Sequence, residues 1–600
     1  MKKYNIYLIF TLMPLSSYAE TALELPPMVI TTPSNISDYN HDDLKAIELP
    51  DLNGVLRQNP SITVNQGSGQ MNSDLSFRGA RGQGMLTLDG VPLFSNFVGV
   101  YSLQRYSINE LESVKFSRSF DGNFNGSRTL GGAIHLKTRQ LQENDNFLNF
   151  EGGSYDTLRE SAGAGFTSKL GDFSGIFGRS DVFNGISESR FGTERDEFEM
   201  NHASGNWSKN FDKGGLDASF YFVKSKQDID DAGLLPDNTF GWVDDLQGKL
   251  SDETWVAQLH GQYDLASNWN SSLQFGFTQD QQKMKTTLVK PFSVTNQLFM
   301  ANWKNTHQFQ LSENHRASIV WGVNTQHQQA LNVPSSQTII SPNVHGELFL
   351  ENWKFDADTR LDLNEIYGNH QVFSLGANRA LSQTVNVWAK GGTGYRQPGV
   401  IELFHPILGN NETLKSESSQ GGEIGLRWNP FLETEINVSG YYQNYQQMIL
   451  MLFDPTNGKV RANNLPEANV FGVEIQSQHR WSTFWKSGLN YGYMSAKTTE
   501  NNLYVPYLPE HQGVFWNELQ LFQPLKLRVD LTFHDAYWLD AGNKRRANAA
   551  PHVNALLKYH LTPKTDLYLR GENIANNRTI EIGDFGVNGA AVYFGLQTGF

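Results

Sequence analysis

The sequence predicts an all-β membrane protein: a 22-stranded antiparallel transmembrane β-barrel with an N-terminal mixed α/β plug domain inside the lumen. Three observations lead there. From Asn146 to Phe600, apolar and polar residues alternate with a period of two, segment after segment. Short and long connections alternate between those segments, as they do when one barrel end carries tight turns and the other carries loops. Residues 51–139 lack long alternating strands and read as short pieces punctuated by glycine.

The chain begins with Met1-Lys2-Lys3, an apolar run Ile6–Leu15 and small residues at Ser17 and Ala19. This reads as a signal peptide over 1–19, too short for a spanning helix. Its removal takes the net charge from −14 to −16. An acidic chain disfavours nucleic acid as a partner. Mean hydropathy of −0.46 excludes a helical membrane protein but not a barrel. Absence of cysteine excludes thiol catalysis, thiolate metal sites and disulfides.

A leader over 20–45 precedes the plug, expected over 46–139, and the barrel follows over 140–600. Within the plug, Asp51–Gln58 reads as a short helix before Asn59-Pro60. Strand-like pieces follow at Leu75–Gly79, Met85–Pro92, Leu111–Phe116 and Leu130–Thr138. In the barrel, Leu525, Leu527, Val529, Leu531 and Phe533 alternate with Lys526, Arg528, Asp530 and Thr532, a strand with one greasy and one wet face. Short connections are expected at Leu311–Asn314, Asn429–Glu433 and Leu561–Lys564. Long ones are expected at Asp228–Asp252, Asp280–Leu298, Arg396–Glu417 and Asp535–Ala550. The span 146–600 allows about 21 residues per strand with its loop, suiting strands of roughly 10 residues. A barrel this wide needs its lumen filled.

The ordered segments resemble TonB-dependent outer-membrane receptors, a family of siderophore, haem and cobalamin receptors. The resemblance is carried by Asn59-Pro60, Arg78-Gly79, Asp89-Gly90-Val91-Pro92, Glu112 with Lys115, and Gly131-Gly132-Ala133-Ile134 through Thr138. Met28, Val29, Ile30, Thr31 and Thr32 resemble the TonB box. In the barrel, Tyr395-Arg396-Gln397-Pro398, Glu402-Leu403, Gly472-Val473-Glu474, Glu572-Asn573-Ile574 and the terminal Phe600 are similar to family landmarks. Two segments depart from the pattern: Lys115-Phe116-Ser117 stands where the family has Arg-Gly-Pro, and Asn588-Gly589-Ala590 where it has Pro-Gly-Arg.

The resemblance implies a monomeric receptor in bacterial outer-membrane lipid, with plug and TonB box facing the periplasm. It imports a scarce metal chelate and is not an enzyme. Its energy comes from TonB and the inner-membrane ExbB/ExbD complex; the sequence itself has no P-loop. Residues 28–32 suit strand addition, because Val, Ile and Thr favour an extended chain. By motif, two plug cations and two barrel acids form a lock: Arg78 and Lys115 with Glu423 and Glu474.

Cargo candidates are Phe94, Asn96, Phe97 and Tyr101 on a plug apex, His405 as a haem ligand, and Lys544, Arg545 and Arg546 for an anionic chelate. Asp228, Asp230 and Asp231 supply the oxygen ligands that Ca²⁺ prefers. The commonest cargo of the family, a ferric siderophore, is the expected one, with cobalamin or haem as alternatives. A passive channel or adhesin is the reading from another class, but a diffusion pore has no use for a plug.

Overall fold

The structure, a computed structural model, describes residues 38–600 apart from 67–72, 82–84, 95–99, 119, 121–129, 190, 235–239, 288–289, 332–334, 404–410, 455–458, 580 and 582–584. The signal segment, Met28–Thr32, Asn96, Phe97 and His405 lie outside the described residues.

Twenty-two strands close into one antiparallel barrel, and the first, Phe147–Gly153, pairs with the last, Ala591–Gly599. Closure gives every strand two neighbours, so no backbone edge meets lipid. The alternating faces fall as the pattern requires. On Leu525–His534, Arg528 and Asp530 are buried in the lumen while Leu531 points outward. Phe177, Phe220, Phe275, Phe373, Leu375, Ile424 and Phe594 are likewise exposed on the outer wall. Among the described residues, no helix is long and apolar enough to cross a membrane.

Strand length departs from expectation. Lys459–Ser482 has 24 residues, roughly 80 Å of chain at ~3.4 Å per residue, far more than tilted strands need to cross lipid. Alternation marks only the embedded part of a strand. Beyond it the pattern fades, so Asp280–Met284 reads as loop yet pairs with strand Phe292–Ser312. The long connection expected at Asp280–Leu298 shrinks accordingly to 286–291. The turn end is marked by aromatic rings beside the tight turns: Trp481 stacks on Trp485 at 5.2 Å, and Trp353 on Phe355 at 5.4 Å. Rings with a polar handle belong at a lipid–water boundary.

The plug fills the lumen with two small sheets. One has the order Tyr39–Asn40, Leu111–Arg118, Gly132–Thr138, Met85–Leu88, Val91–Pro92. The other contains Ile62–Gln66, Ser73–Phe77 and Ala80–Arg81, with Val100–Tyr101 on the free side of Ser73–Phe77. Asp51 caps helix Leu52–Leu56 through its side chain, so the helix is shorter than the expected Asp51–Gln58. Asn40 and Asp43 form a capping box on helix His41–Ile47. Because Tyr39 and Asn40 pair with Val114 and Ser113, the folded plug already includes residue 39. A leader ending at 45 would cut this helix, whose Leu44 and Ile47 are buried. The helix was missed because seven residues hold too little periodicity to register. Gly131 has no room for a side chain: an added Cβ would strike the Phe77 carbonyl and the Ala80 and Phe77 side chains.

The outward wall gives a direct test. Leu375→Arg should destabilise the barrel by about 2–4 kcal/mol in urea unfolding from vesicles, the range for a cation at lipid depth. The same change at Leu432, 97% exposed in the turn 429–433, should cost almost nothing.

Candidate functional site: the plug seam and the outer loops

Plug and barrel meet through charge and hydrogen bonds. Arg78 stands in a turn with a left-handed backbone (φ 42°) followed by Gly79 (φ 80°). That turn aims its guanidinium into the wall. Nε and Nη2 donate to the two oxygens of Glu474 at 2.8 and 2.7 Å, and Nη1 donates to Glu423 at 2.6 Å. The Tyr441 ring lies 4.3 Å beneath. Burial opposes the charge on Arg78, but the two carboxylates hold its pKa well above the ordinary value. All three side chains are almost wholly buried.

Lys115 does not join this group. It is exposed on strand Leu111–Arg118, and with a period of two it shares a face with Ser117, while Arg118 occupies the other face. Arg118 is the cation that approaches Glu423, at 3.8 Å, with its guanidinium 4.7 Å over Trp388.

A second lock had no signal in the sequence. Arg105 meets Asp252 at 2.5 Å and Asp280 at 3.2 Å, and its carbonyl accepts from Tyr221 at 2.5 Å. The turn Asp89-Gly90 is a third attachment. The Asp89 carboxylate accepts from the Thr138 amide and hydroxyl at 2.9 and 2.7 Å and from barrel Ser219 at 2.6 Å. Gly90 (φ 81°) leaves space for Gln274, which donates to the Asp89 carbonyl at 2.8 Å.

At the loop end, Tyr101 is 6% exposed and belongs to the plug core, so it is not a cargo contact. Phe94 is partly buried against the same core. Both were read as apex residues because aromatics there look the same in sequence whether they point in or out. Lys544, Arg545 and Arg546 are exposed on a compact loop. Asp540 accepts from the Lys544 and Arg545 amides at 3.1 and 2.6 Å, and Arg546 lies 5.4 Å over Trp538. Arg396 sits at the base of the long connection that follows it, ion-paired to Glu402 at 2.8 Å and to Glu417. The landmark at 395–398 is thus an anchor.

Three carboxylates gather where the loops 183–197 and 229–248 meet. Oxygens of Glu194, Asp196 and Asp230 lie within 4.8 Å of one another. Asp230 is fully buried and accepts from the Ser189 amide at 2.5 Å and the Ser187 hydroxyl at 3.1 Å. Burial, then Asp230 nearby, pushes the Glu194 carboxyl up to about 8 and the Asp196 carboxyl up to about 7. Of the expected trio, only Asp230 is here. Asp228 is ion-paired to Lys249, and Asp231 begins a separate hairpin with Val243. Asp228 closes one strand and Asp231 opens the next, so the chain changes direction between them and the run does not converge on one point.

Residues 187–574 match the family described as TonB dependent receptor-like, beta-barrel, and residues 29–133 match the TonB-dependent Receptor Plug Domain. The chain belongs to the TonB-dependent receptor family. Its members are receptors and transporters rather than enzymes, and the fold is characteristic of the bacterial outer membrane. This receptor is 22% identical over 569 residues to a vitamin B12 transporter BtuB of Photobacterium profundum, covering 90% of this chain and 88% of that one. It is also 22% identical over 189 residues to the probable siderophore receptor PiuA of Acinetobacter baumannii, covering 29% and 25%. The crystal structure of PiuA superposes with a TM-score of 0.78 at 13% identity, covering 95% of this chain and 97% of that one. The ferric enterobactin receptor PfeA of Pseudomonas aeruginosa superposes at 0.77 and 16% identity, covering 94% and 99%. These two likenesses show the fold.

Two outcomes follow for the receptor. Arg78→Ala leaves Glu423 and Glu474 buried without their strongest partner. It should destabilise the plug by about 3–5 kcal/mol, read as faster trypsin cleavage of the plug in an intact barrel. Arg78→Lys should fall between, because an ammonium cannot make the bidentate contact.

The second concerns pH. Glu194 and Asp196 have folded-state pKa values above their ordinary ones, so the folded loops bind more protons than open ones. That contribution is complete below about pH 4 and is lost as pH rises through 7 to 8. In chelator, amide hydrogen exchange in 183–197, corrected for its intrinsic pH dependence, should accelerate between pH 6 and 9. Asp230→Asn should flatten the change.

Proposed function

We propose that this receptor binds a large metal chelate at its outer loops and passes it to the periplasm when TonB pulls on the segment before Asp38. A lumen filled by a plug cannot conduct such a solute by diffusion, so the plug must be displaced. The observation that carries the reading is the chemistry of the seam: plug and barrel are joined by ion pairs and hydrogen bonds that water can replace. Asp42 and Lys45 lie beside the tight turn at Thr483–Phe484, so the first helix of the plug sits at the turn end. That placement supports a TonB box at Met28–Thr32 on the periplasmic side; ExbB/ExbD behind TonB and a monomer in the membrane follow from the family resemblance alone.

For the cargo, two observations support a corrinoid of the vitamin B12 kind. Relatives of that name match along 70% to 90% of the chain. The Glu194–Asp196–Asp230 cluster presents oxygen donors only, as a hard cation such as Ca²⁺ prefers, and its raised carboxyl pKa values are those of acids that a cation would relieve. Ca²⁺ there would tie the two loops together beside the cargo. The exposed Lys544–Arg546 loop supports a second reading, the anionic ferric siderophore expected from the sequence. The haem reading rests on His405, outside the described residues.

Titrating the purified protein with cyanocobalamin, haem and ferric siderophores, with and without Ca²⁺, separates these readings. Corrinoid binding should weaken in chelator and in Asp230→Asn. A siderophore should instead lose affinity when Lys544, Arg545 and Arg546 are neutralised, more so at low salt. Binding of none of the three would overturn the chelate reading. Ile30→Pro, which removes a backbone N–H needed for strand addition, should abolish uptake while surface binding persists. Equal uptake by mutant and parent would remove the TonB-box assignment.

A further inference from the structure

Three cavities follow one another down a single side of the plug, against the barrel strands flanking the closure seam. The outermost, about 190 Å³, opens beside the long connection 573–590 and is lined by Asp51, Arg57, Gln104 and Asn588 among others. The next, about 60 Å³, shares Leu49, Pro50, Asp51, Gln104 and Arg159 with it, so the two abut. The innermost, about 400 Å³, opens at the turn end between helix His41–Ile47 and Thr483–Phe484.

Glu48 lines the middle cavity, Lys558 lines the innermost, and the pair stands between them. Lys558 Nζ donates to Glu48 at 2.5 Å and to the Lys45 carbonyl at 2.8 Å. Gln597 donates to the other Glu48 oxygen, and Lys45 reaches Asp566 at 3.8 Å. Lys558, Asp566 and Gln597 belong to the last three barrel strands, so one wall of the barrel clasps the end of one short helix.

We infer that this seam is the path the cargo takes past the plug, and that the Glu48–Lys558 clasp closes its inner end. The inference rests on the energised-import reading above and adds where the passage lies. The wall holds the plug at separate points: Arg78 by Glu423 and Glu474, Arg105 by Asp252 and Asp280, the plug carbonyls of Asp89 and Pro92 by Gln274 and Thr278, and, on the seam itself, Arg57 by Glu581 at 2.6 Å and Glu110 by His202 at 2.9 Å, so the path opens only when these two seam contacts part with the clasp. Along the seam, both amide atoms of Gln104, His552 Nε2 and Asn588 Oδ1 are buried without a partner among the protein atoms, polar groups that water or a polar solute would satisfy once the seam opens.

The clasp is also built to open. Helix His41–Ile47 has seven residues, below the length that holds itself, and Glu48 ends it in a left-handed backbone (φ 53°) that costs energy outside glycine. Tension applied before Asp38 therefore reaches the clasp before it reaches Arg78. The innermost cavity carries Lys45, Arg480, Lys486, Lys526, Arg528 and Lys558 against Asp42, Glu518 and Asp566. Such a wall favours the phosphate or carboxylate groups of a chelate.

The chain has no cysteine, so an introduced one reports alone. Ser161 lines the middle cavity, while Ser272 is buried on a strand away from the seam. Cells carrying the full chain with Ser161→Cys or Ser272→Cys are treated with a small polar maleimide, with and without energised TonB. The path predicts that Ser161→Cys reacts about tenfold faster when TonB is energised, as local opening of one seam would produce, and that Ser272→Cys does not. Adding Lys558→Met or Glu48→Gln should raise the Ser161→Cys rate without TonB, in barrels whose heat-modifiable mobility shows them folded. Equal acceleration at both cysteines, or none at Ser161→Cys, overturns the path. The labelling needs no cargo, so failure of uptake for every chelate would count against import, while labelling alone decides the path.

Discussion

Everything in this molecule depends on the need of backbone N–H and C=O groups for partners inside hydrocarbon. A sheet meets it only by closing on itself. Twenty-two strands close into a lumen too wide for their own side chains to fill. A separate domain must therefore occupy it, and that domain must be joined to a wall whose inner face is polar. The same period of two that puts Phe373 and Leu375 in lipid puts Ser374 in the lumen, buried. Polar contacts between plug and wall follow from that geometry before any function is considered.

Those contacts are unevenly distributed, and the unevenness matters more than their number. Arg78 and Arg105 each meet two carboxylates in nearly complete burial, an arrangement that is costly to half-break. Along the closure seam cavities separate the contacts, which include the Arg57–Glu581 pair and a seven-residue helix held at its end by Glu48 and Lys558. A plug held at discrete points, with cavities between them along one seam, can part from the wall there while staying in the barrel.

The outer loops follow a different logic. They lie outside the lipid, so they can gather charge that the wall could not carry. Glu194, Asp196 and Asp230 are drawn together by two loops, and their carboxyl groups shift because like charges and burial oppose ionisation. The basic loop at 544–546 is organised by Asp540.

The amino-acid sequence alone determined the barrel, the plug and their order. Alternation is imposed locally by lipid on one face and water on the other, and the turn chemistry around Asp89-Gly90 and Gly131 is local as well. It also placed Arg78, Glu423 and Glu474 in one group, through motifs that the structure brings into contact. It could not place Lys115, because one residue of register decides which face of a strand a side chain takes. It missed Arg105 and the Glu48–Lys558 clasp, whose partners lie 147 and 510 residues away along the chain. Nor could it tell which acidic residues converge, since Glu194 and Asp230 come from different loops. Pairings of that kind exist only once the sheet has closed, because closure brings distant strands to opposite sides of one lumen.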